Sequence, residues 1–140
     1  MKRKLMMHGM TLFLLGLITG LAIPYLRNPR SGLAAHLEGV LNGMFLVLAG
    51  LAWQELKLSE RALAIAYRLL LVGTWLNWAT VLMTAILGTS KATPIAGAGY
   101  GASPAEETLV LGLLLVVVVT MVGALLLFIA GLRGPASKVE

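Results

Sequence analysis

The sequence predicts an all-α fold, an integral membrane four-helix bundle, and three observations lead to it. Of its 140 residues 59% are hydrophobic and only 12% are charged, against about 25% charged in an average soluble domain. The apolar residues gather into four runs, each near the roughly 20 residues that a helix needs to cross a bilayer. Between the runs the chain is short, charged or rich in Gly and Pro. A single domain covering 1–140 follows, with spans at about 5–23, 33–56, 62–87 and 108–132 and no room for a soluble domain beside them.

The first span follows Met1-Lys2-Arg3-Lys4. A basic start before an apolar body has the outline of a signal peptide, but the body is too long, and Ile23-Pro24-Tyr25 is not a small-residue cleavage site. It therefore reads as an uncleaved span ended by Pro24. A connection at 25–31 carries Arg27 and Arg30 into the second span, where Trp53 near the far end fits an interfacial aromatic. Glu55, Lys57, Glu60 and Arg61 mark a tight polar turn before the third span, and Arg68, about two turns inside that span, has a stem long enough to snorkel. The stretch 88–107, with Pro94, Gly97, Gly99, Gly101 and Pro104, reads as a turn-rich surface loop. The fourth span has no interior charge, and a short polar tail, 133–140, ends the chain. Spans one and two share a glycine-plus-leucine texture that lipid contact alone would explain.

Basic residues are retained in the cytoplasm, so their distribution predicts orientation. Lys2, Arg3, Lys4, Lys57, Arg61, Arg133 and Lys138 fall on one side; Arg27, Arg30 and Lys91 fall on the other. Both termini are therefore expected in the cytoplasm. The formal charge of +5 sits at span ends rather than on a basic face with interleaved aromatics, so nucleic acid is not an expected partner; the lipid bilayer is. The chain has no cysteine and no aspartate, and lacks the Gly-x-Ser-x-Gly, HExxH, P-loop and dinucleotide motifs. Thiolate, hydrolytic and phosphoryl-transfer chemistries therefore have no visible machinery.

Polar residues inside apolar spans are costly and tend to mark function. The second span opens with His36, Glu38, Gly39, Asn42 and Gly43 inside two turns. His36 is expected in the first turn, as an interfacial residue bonded to a backbone carbonyl or as a metal ligand. His8 lies in the first turn of span one, about a hydrocarbon thickness away, so the two are not expected to share one metal. Glu38 and Asn42, four residues apart, share a helical stripe; a helix that began late would leave Glu38 among headgroups. Gly39 and Gly43 have the spacing that admits a second helix or a flat macrocycle against the backbone. His36 and Asn42 are on different faces of the helix. In span three, Asn77 lies at a depth comparable to Asn42, so the two amides can meet in one pocket, flanked by Trp75 and Trp78.

These residues resemble a known family. Lys4-Leu5-Met6-Met7-His8-Gly9, Asn28-Pro29-Arg30, the segment from Gly32 through His36, Glu38, Asn42 and Gly43 to Met44, and Trp75-Leu76-Asn77 are similar to the hydroxylaminobenzene mutases, small bacterial membrane proteins related to styrene oxide isomerase. The resemblance implies an intramolecular rearrangement of a small aromatic substrate, arylhydroxylamine to aminophenol in the mutases and aryl epoxide to aldehyde in the isomerases. It implies a homotrimer carrying haem b, with His36 as the iron ligand and Asn42 holding substrate. By alignment on Trp75 and Asn77, the tyrosine of the isomerase pocket falls at Val81, which favours the mutase reading over the epoxide reaction. In that reading Asn42, Glu38 and Asn77 are catalytic, Trp75 and Trp78 bind the aryl ring, and Gly39, Gly43, Arg27 and Arg30 contact the cofactor. Two alternatives are a non-enzymatic four-span protein and an electron-transfer haem protein with a second axial ligand from His8 or Met44.

Overall fold

A computed structural model describes residues 1–133. They form four α-helices, α1 (Lys2–Ala22), α2 (Pro29–Ala52), α3 (Glu60–Leu87) and α4 (Pro104–Leu132), with no strand among the described residues. Each is long and apolar enough to cross a membrane. Short 3-10 turns, Ile23–Tyr25 and Trp53–Glu55, finish the first two helices, the former around Pro24. The expected polar tail beyond Arg133, with Lys138, lies outside the described residues.

Three helices begin before their apolar runs, because polar caps start them. Asn28 accepts hydrogen bonds from the backbone N–H groups of Arg30 and Ser31, with Pro29 in the first helical position. Ser59 caps α3 by accepting from Ala62, and Ser103 with Glu106 forms a capping box before α4. Hydropathy locates the apolar body of a helix; capping decides where it starts. The consequence matters most in α2. His36 does not lie in the first turn, as the apolar run implied, but seven residues beyond Pro29, roughly 10 Å along the axis. Glu38 is deeper still and is not a headgroup residue.

The helices alternate in direction. At one end the Lys2 ammonium donates to Gln54 at 3.0 Å and the Lys57 N–H to the Gly131 carbonyl at 2.9 Å. At the other, the Asn28 N–H donates to the Ala85 carbonyl at 2.9 Å. The start of α1 and the end of α4 therefore share one end of the bundle. The helices form an open row in which α1 packs on α2, α2 on α3 and α3 on α4, with a brief touch between α1 and α3. Leu5, Leu12, Leu46, Leu70, Ala66, Trp53 and Phe128 fill the core along this row.

The α1–α2 pair is the tightest, and glycine makes it so. A Cβ on Gly16 would lie 2.5 Å from the Val40 nitrogen, one on Gly39 2.5 Å from the Gly16 Cα, and one on Gly43 2.6 Å from the Phe13 nitrogen. No side chain fits at these three crossings. In lipid, where apolar side chains gain little by leaving their surroundings, close backbone approach replaces the hydrophobic effect as the source of association. The glycine-plus-leucine texture of the first two spans is thus the packing interface between them rather than a lipid-facing feature.

The loop 88–103 is a series of turns, as its composition predicts. Gly88 ends α3 in the left-handed region, φ 71°, and its N–H returns to the Thr84 carbonyl. Arg27 donates to the carbonyls of Leu87 and Gly101, Arg30 to that of Ala98, and the buried Asn28 amide to that of Ala96. Glu107 completes the anchorage by accepting from the Ser90 and Lys91 N–H groups at 2.9 and 3.0 Å. The loop is thereby tied across the end of the bundle that contains the start of α2.

Candidate functional site

Glu38 is the centre of a polar cluster between α2 and α3. Its Oε2 accepts from Asn42 Nδ2 at 3.0 Å, one turn further along α2, and from Asn77 Nδ2 at 2.6 Å, across the helix interface. The i, i+4 spacing makes the first bond and comparable depth in neighbouring helices makes the second, so the two amides meet as their positions suggested. Asn42 is buried, whereas Glu38 and Asn77 are partly open. A carboxyl group this deep in an apolar helix needs polar partners, and the two amides supply them.

His36 looks the other way. Its Nδ1 lies 2.8 Å from the Gly16 carbonyl of α1. A carbonyl only accepts, so Nδ1 carries a proton, and in the neutral tautomer that this contact selects Nε2 holds the lone pair. Gly20, one turn along α1, makes the space: a Cβ there would come within 2.8 Å of Nδ1 and 3.2 Å of Cε1. The imidazole is therefore oriented and its tautomer set by a backbone carbonyl, the second-shell arrangement that metal-ligating histidines use. An imidazole held this way presents Nε2 as the atom that could ligate a metal. Among the described residues no group of three or more His, Cys, Asp or Glu could hold a metal ion.

His8 belongs elsewhere. It sits edge-on to Trp75, with ring centroids 6.1 Å apart, in a niche shared with Lys4, Thr11 and Tyr67. Gly16, which bonds His36, is eight residues further along α1, roughly 12 Å. The two imidazoles are closer in depth than the apolar runs implied, because α2 starts early, but still too far apart to share one iron.

Other candidate residues are engaged in packing. Gly39 and Gly43 both face the α1 backbone, so the close approach that they permit is used by a helix of the same chain. The Trp78 indole donates to Thr19 Oγ1 at 3.2 Å and packs on Gly39, and Trp75 meets Trp78 edge to face at 6.2 Å. Both indoles lie against the core. Arg27 and Arg30 direct their guanidinium groups to loop carbonyls, and Arg30 also covers the ring of Tyr100. Arg68 is exposed on α3, and Val81, one turn beyond Asn77, is buried.

Two residues that matter to this geometry escaped sequence reasoning: Gly16, whose carbonyl holds the imidazole, and Gly20, which makes room for it. Their signal was present as Gly9, Gly16 and Gly20 along α1, spacings of seven and four that keep small residues on one helical face. Only the partner helix tells that this face receives His36.

Comparison with known proteins agrees over nearly the whole chain. The family model described as styrene oxide isomerase matches residues 1–133. Hydroxylaminobenzene mutase HabB of Ectopseudomonas oleovorans is 39% identical over 137 residues, covering 97% of this chain and 84% of that protein. Hydroxylaminobenzene mutase HabA of the same organism is 38% identical over 133 residues, covering 94% of this chain and 98% of that protein. No solved structure matches the chain significantly.

Proposed function

The chain belongs to the styrene oxide isomerase family, and on that premise we propose that this isomerase is a membrane mutase converting arylhydroxylamine, with hydroxylaminobenzene as the type substrate, to 2-aminophenol. The observation that carries the reading is that two successive turns of α2 hold a preset imidazole on the face toward α1 and the Glu38–Asn42–Asn77 cluster on the face toward α3. Similarity to two mutases over nearly the full chain supports the same reaction class.

The reaction is balanced as an isomerisation. The N–O bond breaks, a C–O bond forms at the ortho carbon, that carbon gives up its proton and the nitrogen gains one. No oxidant or reductant is consumed, so the protein must orient the substrate and move one proton. Haem b, held by His36 Nε2 when bound, would supply Lewis acidity toward the hydroxylamine group. Asn42 and Asn77 orient the polar end of the substrate, and Glu38 takes and returns the proton at Oε1, the oxygen that the two amides leave free. The apolar walls of α2 and α3 keep bulk water from competing for the electron-poor ring. Val81 offers no hydroxyl where the isomerase branch has a tyrosine, which favours the mutase reaction over epoxide opening.

In this reading the protein resides in a bacterial inner membrane with both termini cytoplasmic, and is a homotrimer. The open row of helices and the partly exposed His36 suit a site completed by a neighbouring copy. The test is to purify the protein in detergent, record its visible spectrum and mass, and assay aminophenol formation from hydroxylaminobenzene, with His36→Ala in parallel. A red trimer that makes 2-aminophenol, and loses both colour and activity in the variant, supports the proposal. A colourless wild type overturns the haem assignment, and a protein that leaves hydroxylaminobenzene unchanged overturns the mutase assignment.

A further inference from the structure

We propose that the outer face of α1 seats an anionic phospholipid, with its phosphate at Lys4, its ester region beside His8 and an acyl chain along Leu14 and Leu17. The niche around His8 plays no part in the mutase reading, and the proposal stands or falls apart from it. Lys4, Met7, His8 and Thr11 of α1 and Tyr67 of α3 line a hollow of about 380 Å³. Two further hollows share Thr11 with it: one reaches back to Arg3, and the other runs on past Phe13 and Leu14 to Leu17.

The polar order along this face is that of a phospholipid. Residues 4, 8 and 11 follow one stripe of α1, spaced by four and three. From the start of the helix the stripe offers an ammonium, an imidazole and a hydroxyl; beyond it the exposed side chains are hydrocarbon, with Leu14, Leu17 and Ile18 all open to the surroundings. Lys4 and Thr11 are roughly 10 Å apart along the axis. The headgroup layer on each side of a bilayer is about 5–8 Å thick, so the stripe crosses the boundary between headgroups and acyl chains.

The groups in the hollow are available to a ligand. Lys2, from the same basic start, is engaged with Gln54 at 3.0 Å, whereas Lys4 lines the hollow and has a stem long enough to bring its ammonium to a phosphate. His8 is braced edge-on against Trp75, and an imidazole carries at least one N–H in either tautomer. The Thr11 hydroxyl is spent on the Met7 carbonyl at 2.9 Å, which leaves His8 and the Tyr67 hydroxyl as donors to phosphate and ester oxygens. Charge selects the headgroup. The charged residues lining the three hollows are Lys4 and Arg3, with no carboxylate among them. An acidic phosphodiester meets these cations unopposed, while a choline headgroup brings a cation of its own. Near a membrane surface each basic residue adds about fivefold to the affinity for an acidic lipid.

The test is competition on the full chain in a non-ionic detergent. A fluorescent phosphatidylglycerol is bound, then displaced by dioctanoyl phosphatidylglycerol or dioctanoyl phosphatidylcholine. The wild type is expected to favour the glycerol lipid by about fivefold or more, and Lys4→Gln to lower that ratio about fivefold. Lys57→Gln, at the same end of the bundle but outside the hollows, is expected to leave the ratio unchanged. Leu14→Asn, which puts an amide in the acyl lane, is expected to weaken both lipids about threefold or more at a constant ratio. All three side chains are exposed, so the variants are expected to fold, and melting checks that they do. A wild-type ratio near one, a loss in Lys57→Gln as large as in Lys4→Gln, or displacement by inorganic phosphate at the same concentration overturns the proposal. Unchanged lipid affinity in Leu14→Asn overturns it too, and a fall in assembly mass in that variant would show that a second copy of the chain covers the lane instead.

Discussion

Gly20→Ala isolates the orientation of His36 from the integrity of the bundle. The new Cβ would lie 2.8 Å from His36 Nδ1, 3.2 Å from Cε1 and 3.4 Å from Cγ, and no backbone atom is among these three nearest neighbours. Ordinary contact begins at 3.4 Å, so the ring must retreat by 3.4 − 2.8 = 0.6 Å or rotate away from the Gly16 carbonyl. The lost hydrogen bond costs about 1 kcal/mol, small against the packing of four long helices. Misplacing a catalytic group by about 1 Å costs on the order of a hundredfold in rate, so a 0.6 Å shift is expected to cost about ten- to thirtyfold. The assay is aminophenol formation from hydroxylaminobenzene by the purified protein, with thermal melting and yield as controls for folding. Full activity in a well-folded Gly20→Ala protein would refute the view that this glycine exists to seat the imidazole. Melting lowered as far as by a substitution at Gly16, where a Cβ meets the Val40 and Gly39 backbone, would show instead that Gly20 is part of the helix crossing.

Glu38→Leu is expected to lower turnover by about a hundredfold through loss of the proton acceptor, while the protein still assembles; retention of more than a tenth of wild-type rate would remove Glu38 from the chemistry. Gly43→Val places a branched side chain where even a Cβ comes within 2.6 Å of the Phe13 nitrogen, and should destabilise the α1–α2 pair by about 1–3 kcal/mol in a detergent-resistance or melting experiment. Glu107→Ala releases the Ser90 and Lys91 N–H groups and should raise the rate of limited proteolysis within 88–103 while leaving the melting of the helices near wild type. Unchanged cleavage would mean that Arg27, Arg30 and Asn28 hold the loop without it.

Much of this architecture was legible in the sequence because the bilayer imposes one-dimensional rules. A helix that crosses it must be apolar for a fixed length, and polar residues within that length stand out; this is why four apolar helices and the turn-rich stretch after the third were expected, although the stretch expected, 88–107, includes four residues that belong to α4, and why the polar residues His36, Glu38, Asn42 and Asn77 could be singled out. The i, i+4 relation of Glu38 and Asn42 is likewise fixed by helix geometry alone. The start of α2 was misplaced because hydropathy does not register Asn28 and Pro29 as the cap and first residue of a helix, and that error put His36 too near the surface.

What the chain determined by itself is therefore the number of spans, their order and the chemistry available to them. What only the tertiary structure decided is which faces meet: that Gly39 and Gly43 receive α1, that Gly16 and Gly20 receive His36, and that Asn77 reaches across to the carboxylate of α2. The physical reason is that association in lipid depends on local fit between two surfaces, close backbone approach and paired polar groups, and a fit is a property of both partners. A glycine in one helix states only that something comes near; the other helix supplies what does.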